Sequence, residues 1–160
     1  MTREAIILAG GFGTRLKSVV SDVPKPMAPI NGKPFLEYQL NYLISQGFTL
    51  INLAVGYKYQ VISQYFGCHF NGADLIYSVE KIPLGTGGAL INILKNERKQ
   101  QPIIVLNGDT FFPIDINQLE YKCQADNADW GIALFRSSNL ERLPLTLTSS
   151  LDLIPLFLIS

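Results

Sequence analysis

An α/β fold, with a mostly parallel sheet covered by helices on both faces, is predicted for this sequence by three features. Short apolar runs rich in Ile, Leu and Val alternate with segments whose apolar residues recur every three or four positions. The connections between them are short. Glycine-rich or polar segments stand directly behind three of the apolar runs, and sheets of this kind bind ligands beyond the carboxyl ends of their strands.

The first run, Ala5–Leu8, reads as a buried strand, and the glycine loop Gly10–Thr14 follows it. Phe35–Ser45 (FLEYQLNYLIS) carries apolar residues at three- and four-residue spacing and reads as an amphipathic helix. Gly47 closes it. Leu50–Val55 is a second strand and Tyr59–Phe66 a second helix. Leu75–Val79 is a third strand, and Thr86–Asn96 a third helix that opens from glycines. Pro102–Leu106 is a fourth strand, Ile116–Ala125 a fourth helix, and Trp130–Phe135 a fifth strand. The segments Gly10–Arg15, Glu80–Gly88 and Asn107–Thr110 follow strands one, three and four, so they are expected to converge on one rim.

At 160 residues the chain fits one domain with a sizeable core. Hydrophobic residues make up 48%, charged residues 16%, and formal net charge is zero. Without a basic excess there is no nucleic-acid footprint. Cys68 and Cys123 are far apart and form no CxxC pair. The expectation is two reduced, buried thiols in a cytoplasmic protein rather than a disulfide or a zinc site. The opening MTREAIILAGG holds too short an apolar run for a signal peptide. No uninterrupted apolar stretch reaches the roughly 20 residues that cross a bilayer, so no membrane partner is expected.

Four motifs carry chemistry. In Leu8-Ala9-Gly10-Gly11-Phe12-Gly13-Thr14-Arg15-Leu16, a glycine-rich turn after a strand lets backbone N–H groups approach phosphate oxygens. The turn is neither GxGxxG, because Leu16 takes the third glycine's place, nor GxxxxGK[ST]. Arg15, just beyond it, offers a guanidinium that grips a triphosphate bidentately. In Val23-Pro24-Lys25-Pro26-Met27, prolines on both sides are expected to hold Lys25 extended, a cation on a stiff segment. In Leu106-Asn107-Gly108-Asp109-Thr110, a carboxylate just past a buried strand is placed to hold Mg²⁺ with bound phosphates. In Glu80-Lys81-Ile82-Pro83-Leu84-Gly85-Thr86-Gly87-Gly88-Ala89, three glycines at a helix entrance suit close approach to a base and sugar. Each has a bland counterpart: a tight turn, a solvated lysine, a turn aspartate bonding its own backbone, a flexible connection.

Together, and in this order, GGFGTRL, PKP, PLGTGGA and NGDT resemble the sugar-1-phosphate nucleotidyltransferases. The phrasing IILAGGFGTRL, DVPKPMAPINGKPFLEY, EKIPLGTGGA and VLNGDTFFPIDI is most similar to the bacterial D-glycero-D-manno-heptose 1-phosphate guanylyltransferases, from about Ala5 to about Arg142. The resemblance implies a Rossmann-like three-layer fold and the reaction of a nucleoside triphosphate with a sugar 1-phosphate, giving an NDP-sugar and pyrophosphate. It also implies Mg²⁺ as cofactor and a place in nucleotide-sugar synthesis for lipopolysaccharide or capsule. By the same resemblance, Leu8, Gly10, Gly11, Gly13, Thr14 and Arg15 belong to the loop around the triphosphate, and Lys25 lies near the phosphates. Asn107 is a nucleotide-binding position, and Asp109 is the magnesium carboxylate. Gly85, Thr86 and Gly88 lie in the segment against the nucleoside, and Glu80 beside the base. Chemistry supports the last assignment independently. Guanine presents N1–H and N2–H₂ as adjacent donors, which a carboxylate accepts bidentately, whereas uracil's single N–H between two carbonyls suits an amide. Glu80 therefore favours GTP.

The attacking group of such a reaction is a phosphate oxygen, largely ionised near neutrality because its second pKa is about 6. No general base is required, so the lone His69 needs no role. Catalysis is positioning and charge neutralisation during displacement at the α-phosphorus, with Arg15 on the departing phosphates and Lys25 on those nearest the reaction.

The likeness ends near Arg142. Residues 143–160 hold seven leucines, one charge and no glycine, and are read as an atypical tail, out of frame or else an added strand, behind a nucleotide-binding domain spanning 1–142. Relatives carry most sugar contacts and a second magnesium aspartate beyond this point, so weak or absent activity is expected of the chain by itself. An incomplete sheet exposes an edge, which leads to self-association. The competing readings are a mannose 1-phosphate guanylyltransferase, an N-acetylmuramate 1-phosphate uridylyltransferase, and a non-catalytic nucleotide-binding remnant. An oxidoreductase is disfavoured by Leu16 and by the lack of an acidic residue at the second strand's end (Ala54, Val55, Gly56).

Overall fold

The computed structural model describes residues 2–10, 23–82, 84–95, 102–133 and the backbone of 156–159. In chain order the strands are β1 (Glu4–Leu8), β2 (Pro29–Ile30), β3 (Lys33–Pro34), β4 (Leu50–Val55), β5 (His69–Phe70), β6 (Ala73–Val79), β7 (Ile103–Asn107), β8 (Trp130–Ala133) and β9 (Leu156–Ile159). The helices are α1 (Phe35–Ser45), α2 (Tyr59–Phe66), α3 (Gly85–Leu94) and α4 (Ile116–Ala125).

The main sheet runs β5-β6-β4-β1-β7-β9-β8. β6, β4, β1 and β7 pair in parallel, while β5, β9 and β8 add antiparallel pairings. From β1 the chain winds outward through β4 to β6, then crosses back through α3 to β7 on the other side of β1. The point of reversal lies at β1, which is where a crevice opens at the carboxyl ends of such sheets.

Alternation along the strands divides the core between two faces. Ala5, Ile7, Leu53, Ile104 and Leu106 face α1, α2 and α4 through Leu36, Leu40, Leu43, Ile62, Phe66, Ile116 and Cys123. Ile6, Ala54, Ile103 and Val105 face α3 through Ala89 and Ile93. Each fully buried Leu or Ile contributes about 1.5–3 kcal/mol relative to exposure, so these two clusters hold the three layers together. α1 ends as expected at Gly47, whose φ of +86° lies where only glycine is unstrained. α4 starts where Asp115 accepts hydrogen bonds from the N–H groups of Asn117 (3.0 Å) and Gln118 (3.3 Å).

Four expectations need correction. Lys25 is not extended: it opens a 3-10 turn, Lys25–Met27, and only Pro24 keeps extended geometry. The turn closes through Met27 N–H to Pro24 O (2.7 Å) and Ala28 N–H to Lys25 O (3.0 Å), neither of which needs the N–H that Pro26 lacks. Cys68 is exposed, because it follows the α2 C-cap rather than entering a strand; Cys123 is buried as expected. Trp130 starts a strand, but β9 from the tail lies between it and β7, so β7 is not an open edge. The third strand starts at Ala73, where an antiparallel pairing with His69–Phe70 extends it.

Candidate active site

Backbone hydrogen bonds carry the strand ends into a common rim. Ala9 N–H donates to Ala54 O (2.8 Å), Glu80 N–H to Val55 O (2.7 Å) and Gly108 N–H to Leu8 O (2.9 Å). Gly10, Gly56, Glu80 and Gly108 are therefore neighbours although they come from four strands. Two of these glycines have no room for a side chain. A Cβ on Gly56 would lie 3.0 Å from Gly10 O, and one on Gly108 would lie 2.8 Å from Leu8 O and 3.0 Å from the Ala9 Cα.

At the β7 end of the rim, Lys25 Nζ lies 3.2 Å from Asp109 Oδ2. These residues are far apart in sequence, and each comes from a different motif. Thr110 Oγ1 donates to the other oxygen, Asp109 Oδ1, at 3.3 Å. The carboxylate is about half exposed (53%), so the pair by itself contributes little stability. What it provides is a cation and a hard anionic oxygen side by side beyond the carboxyl end of β7.

At the β6 end, the Glu80 carboxylate lies against Gly10, whose Cβ would sit 3.2 Å from Glu80 Oε1. Glu80 Oε2 accepts from Leu84 N–H at 3.2 Å, tying the carboxylate to the entrance of α3. Gly85 has φ +69° and open space around its Cβ position, and Thr86 is exposed beside it. Gly88 differs: its Cβ would meet Leu84 Cβ at 2.8 Å, so its small size serves packing within the helix entrance rather than an open face. Leu8 and Asn107 each contribute a backbone carbonyl to the rim. Leu8 O receives Gly108 N–H, and Asn107 O receives a side-chain amide from Gln39. Gly11, Gly13, Thr14 and Arg15 lie outside the described residues.

Among the described residues no three His, Cys, Asp or Glu side chains gather as a metal cage. The donor chemistry fits magnesium in another way. Mg²⁺ keeps several waters and binds through one or two carboxylates plus substrate phosphates, and a half-exposed Asp109 suits that mode. His69 takes no part in the rim: it is exposed on the edge strand β5, and its Nδ1 lies 2.9 Å from Asp74 Oδ1 on the adjoining strand β6. No helix among the described residues is long and apolar enough to cross a membrane.

Two residues of the rim were not among the site residues expected from the sequence. Gly56 was legible only as the residue after a strand. Gln39, which is 1% exposed, donates from Nε2 to both Asn107 O and Thr110 O at 2.8 Å. Its signal was a polar residue within the apolar stripe of a helix.

Residues 4–142 match the family described as Nucleotidyl transferase. The chain belongs to that family. It is 56% identical over 117 residues to the D-glycero-alpha-D-manno-heptose 1-phosphate guanylyltransferase of Campylobacter jejuni, covering 73% of this chain and 52% of that protein. It is 43% identical over 145 residues to the protein of the same name from Aneurinibacillus thermoaerophilus, covering 91% and 63%. A crystal structure of HddC from Yersinia pseudotuberculosis, complexed with GMP-PN, superposes with a TM-score of 0.71 at 39% identity, covering 82% of this chain and 57% of that one. This nucleotidyl transferase chain thus spans between about half and two thirds of the length of the relatives it matches. The Rossmann-like three-layer fold expected from its motifs is the fold of its neighbours.

Proposed function

We propose that the chain forms the nucleotide-binding part of an enzyme that converts GTP and D-glycero-D-manno-heptose 1-phosphate to GDP-heptose and pyrophosphate. The observation that carries this is the meeting of Lys25 and Asp109, 3.2 Å apart, at the carboxyl ends of the parallel strands. The names of the two relatives above, and the guanine nucleotide analogue in the HddC structure, support the choice of base and sugar.

On this reading Gly10, Gly11, Gly13 and Thr14 present backbone N–H groups to the phosphates, and Arg15 holds the β- and γ-phosphates as they depart. Lys25 neutralises the α-phosphate while the sugar phosphate oxygen attacks in line. Asp109 holds magnesium, which supplies charge neutralisation across the triphosphate when bound. Glu80 stands beside the base, with Gly85 and Thr86 along the nucleoside. For Glu80 to accept guanine's N1–H and N2–H₂, the Leu84 N–H bond at 3.2 Å must loosen or be shared. Residues 1–142 form the nucleotidyltransferase domain and 143–160 an addition to it. The same reading takes the chain to work in the cytoplasm, where its triphosphate substrate is made, and to self-associate as a homo-oligomer.

The test is pyrophosphate release from GTP, UTP, CTP and dTTP against a panel of sugar 1-phosphates. It is run with this chain and with a version extended to its relatives' length. GTP with the heptose phosphate should be turned over best, by at least about tenfold. Preference for UTP would move the reading to a uridylyltransferase, preference for mannose 1-phosphate to the mannose enzyme. GTP binding without turnover in the extended version would leave a nucleotide-binding remnant.

A further inference from the structure

The α1 helix carries a second pattern inside its apolar one. Leu36, Leu40 and Leu43 are fully buried, and Gln39 occupies the place on the same stripe where a leucine would complete it. Its amide nitrogen donates to Asn107 O and Thr110 O, both at 2.8 Å, one on each side of Asp109. Its Oε1 is buried with no hydrogen-bond partner among the described residues, so the position pays a desolvation penalty that a leucine would avoid. Polar groups that break a local rule without a stability gain concentrate at functional sites.

The turn that Gln39 grips is poorly closed by itself. The bond across it, Thr110 N–H to Asn107 O, is 3.5 Å long, at the limit of a hydrogen bond. Farther along α1, on the same side, Tyr42 Oη donates to Ile114 O (2.5 Å) and accepts from Ile114 N–H (3.0 Å). Gln46 binds Ile114 O and Ile116 N–H, each at 2.9 Å. These contacts fasten the chain beyond the turn, whereas Gln39 fastens the turn itself. The start of α1 also anchors the lysine: Phe35 N–H donates to Ala28 O (2.9 Å), and Ala28 N–H closes the Lys25 turn. One helix thus fixes both sides of the 3.2 Å approach of Lys25 to Asp109.

We propose that Gln39 is a positioning residue whose buried amide, clasping the carbonyls on both sides of Asp109, aims the carboxylate at the nucleotide-bound magnesium. This rests on the nucleotidyltransferase reading above. The test measures GTP affinity by calorimetry in Mg²⁺ and in EDTA; the ratio reports how strongly metal supports binding. Q39M removes both donors at nearly constant volume, and Q39L is made alongside so that a folded variant is in hand if one packs badly. Y42F is the control, since it loses both fastening bonds to Ile114 from the same helix, away from Asp109. Expected are a ratio reduced about tenfold in Q39M and Q39L, with EDTA affinity within about twofold of wild type, and an unchanged ratio in Y42F. A wild-type ratio in folded Q39M or Q39L overturns the proposal while leaving the parent reading intact, and an equal fall in Y42F overturns it as a general loosening. A ratio of one in the wild-type protein overturns the parent reading and the proposal together.

Discussion

Gly108→Ala tests whether the rim depends on contact between the β7 turn and β1. The added Cβ would stand 2.8 Å from Leu8 O, 3.0 Å from Ala9 Cα and 3.1 Å from Ala9 Cβ, where ordinary contact begins at 3.4 Å. Two of those atoms are backbone at the end of a buried strand, so the turn must retreat by about 0.6 Å. Gly108 does not have positive φ, so the cost is steric rather than conformational. Overpacking of this kind costs about 1–3 kcal/mol, and the stiffer unfolded chain returns about 0.4–1 kcal/mol, leaving a net loss of about 1–2 kcal/mol. Retreat also strains the Gly108 N–H to Leu8 O bond of 2.9 Å and carries Asp109 away from Lys25. Equilibrium urea unfolding reads the first effect as a lowered midpoint at unchanged slope. Gly87→Ala serves as reference, because its Cβ meets nothing within 4 Å on an exposed helix position, and it should gain about 0.5–1 kcal/mol. If Gly108→Ala is as stable as Gly87→Ala, the close packing of the turn on β1 is refuted, and with it the structural basis of the rim.

Other consequences follow from the same geometry. In a version of relatives' length, Lys25→Ala or Arg15→Ala should lower kcat/KM by about 10²–10³, the scale of losing one preorganised donor to developing charge; near-normal turnover would remove that residue from the phosphates. Asp109→Asn should raise the Mg²⁺ concentration for half-maximal rate, and an identical titration curve would dismiss it as a metal ligand. Glu80→Gln should shift preference from GTP toward UTP by about tenfold, read from competing kcat/KM values; an unaltered ratio means the carboxylate serves only the α3 entrance. Away from the rim, the hydrogen bond from Lys33 (2.7 Å), aided by one from Tyr65 (3.0 Å), holds the Glu37 carboxyl below its ordinary 4.5 despite opposing desolvation. Its folded pKa is the lower one, so its stabilisation is complete above 4.5 and disappears as pH falls through the folded value. Glu37→Gln should therefore lower the urea midpoint at neutral pH, and the gap to wild type should close as pH falls below the folded pKa; a constant gap would contradict the assignment.

Much of the fold was legible because the elements that matter are long and periodic. The stripe Leu36, Leu40 and Leu43 defined α1, and Ile62 with Phe66 defined α2. The two-residue strands β2, β3 and β5 left no pattern to read, since alternation needs at least four residues to show. β9 was read as part of a tail out of frame or else an added strand, because its run Leu-Phe-Leu-Ile has no period that distinguishes strand from helix. The prolines around Lys25 restrict φ but do not forbid a single 3-10 turn, and tertiary anchoring through Phe35 decided it. Lys25 and Asp109 were legible as chemistry, and only folding could show them to be neighbours. Gln39 was overlooked because counting apolar positions treats a polar residue in the stripe as a gap, whereas here the gap holds the donor that closes the Asp109 turn.

The central claim is that one polyphosphate meets Lys25 and Asp109 at the ends of the parallel strands. A crystal structure of the protein with GTP and Mg²⁺ measures this directly. The account predicts phosphate oxygens within about 3.2 Å of Lys25 Nζ and a metal ion about 2.1 Å from an Asp109 oxygen. A triphosphate bound elsewhere, with those two side chains still paired only to each other, would contradict it.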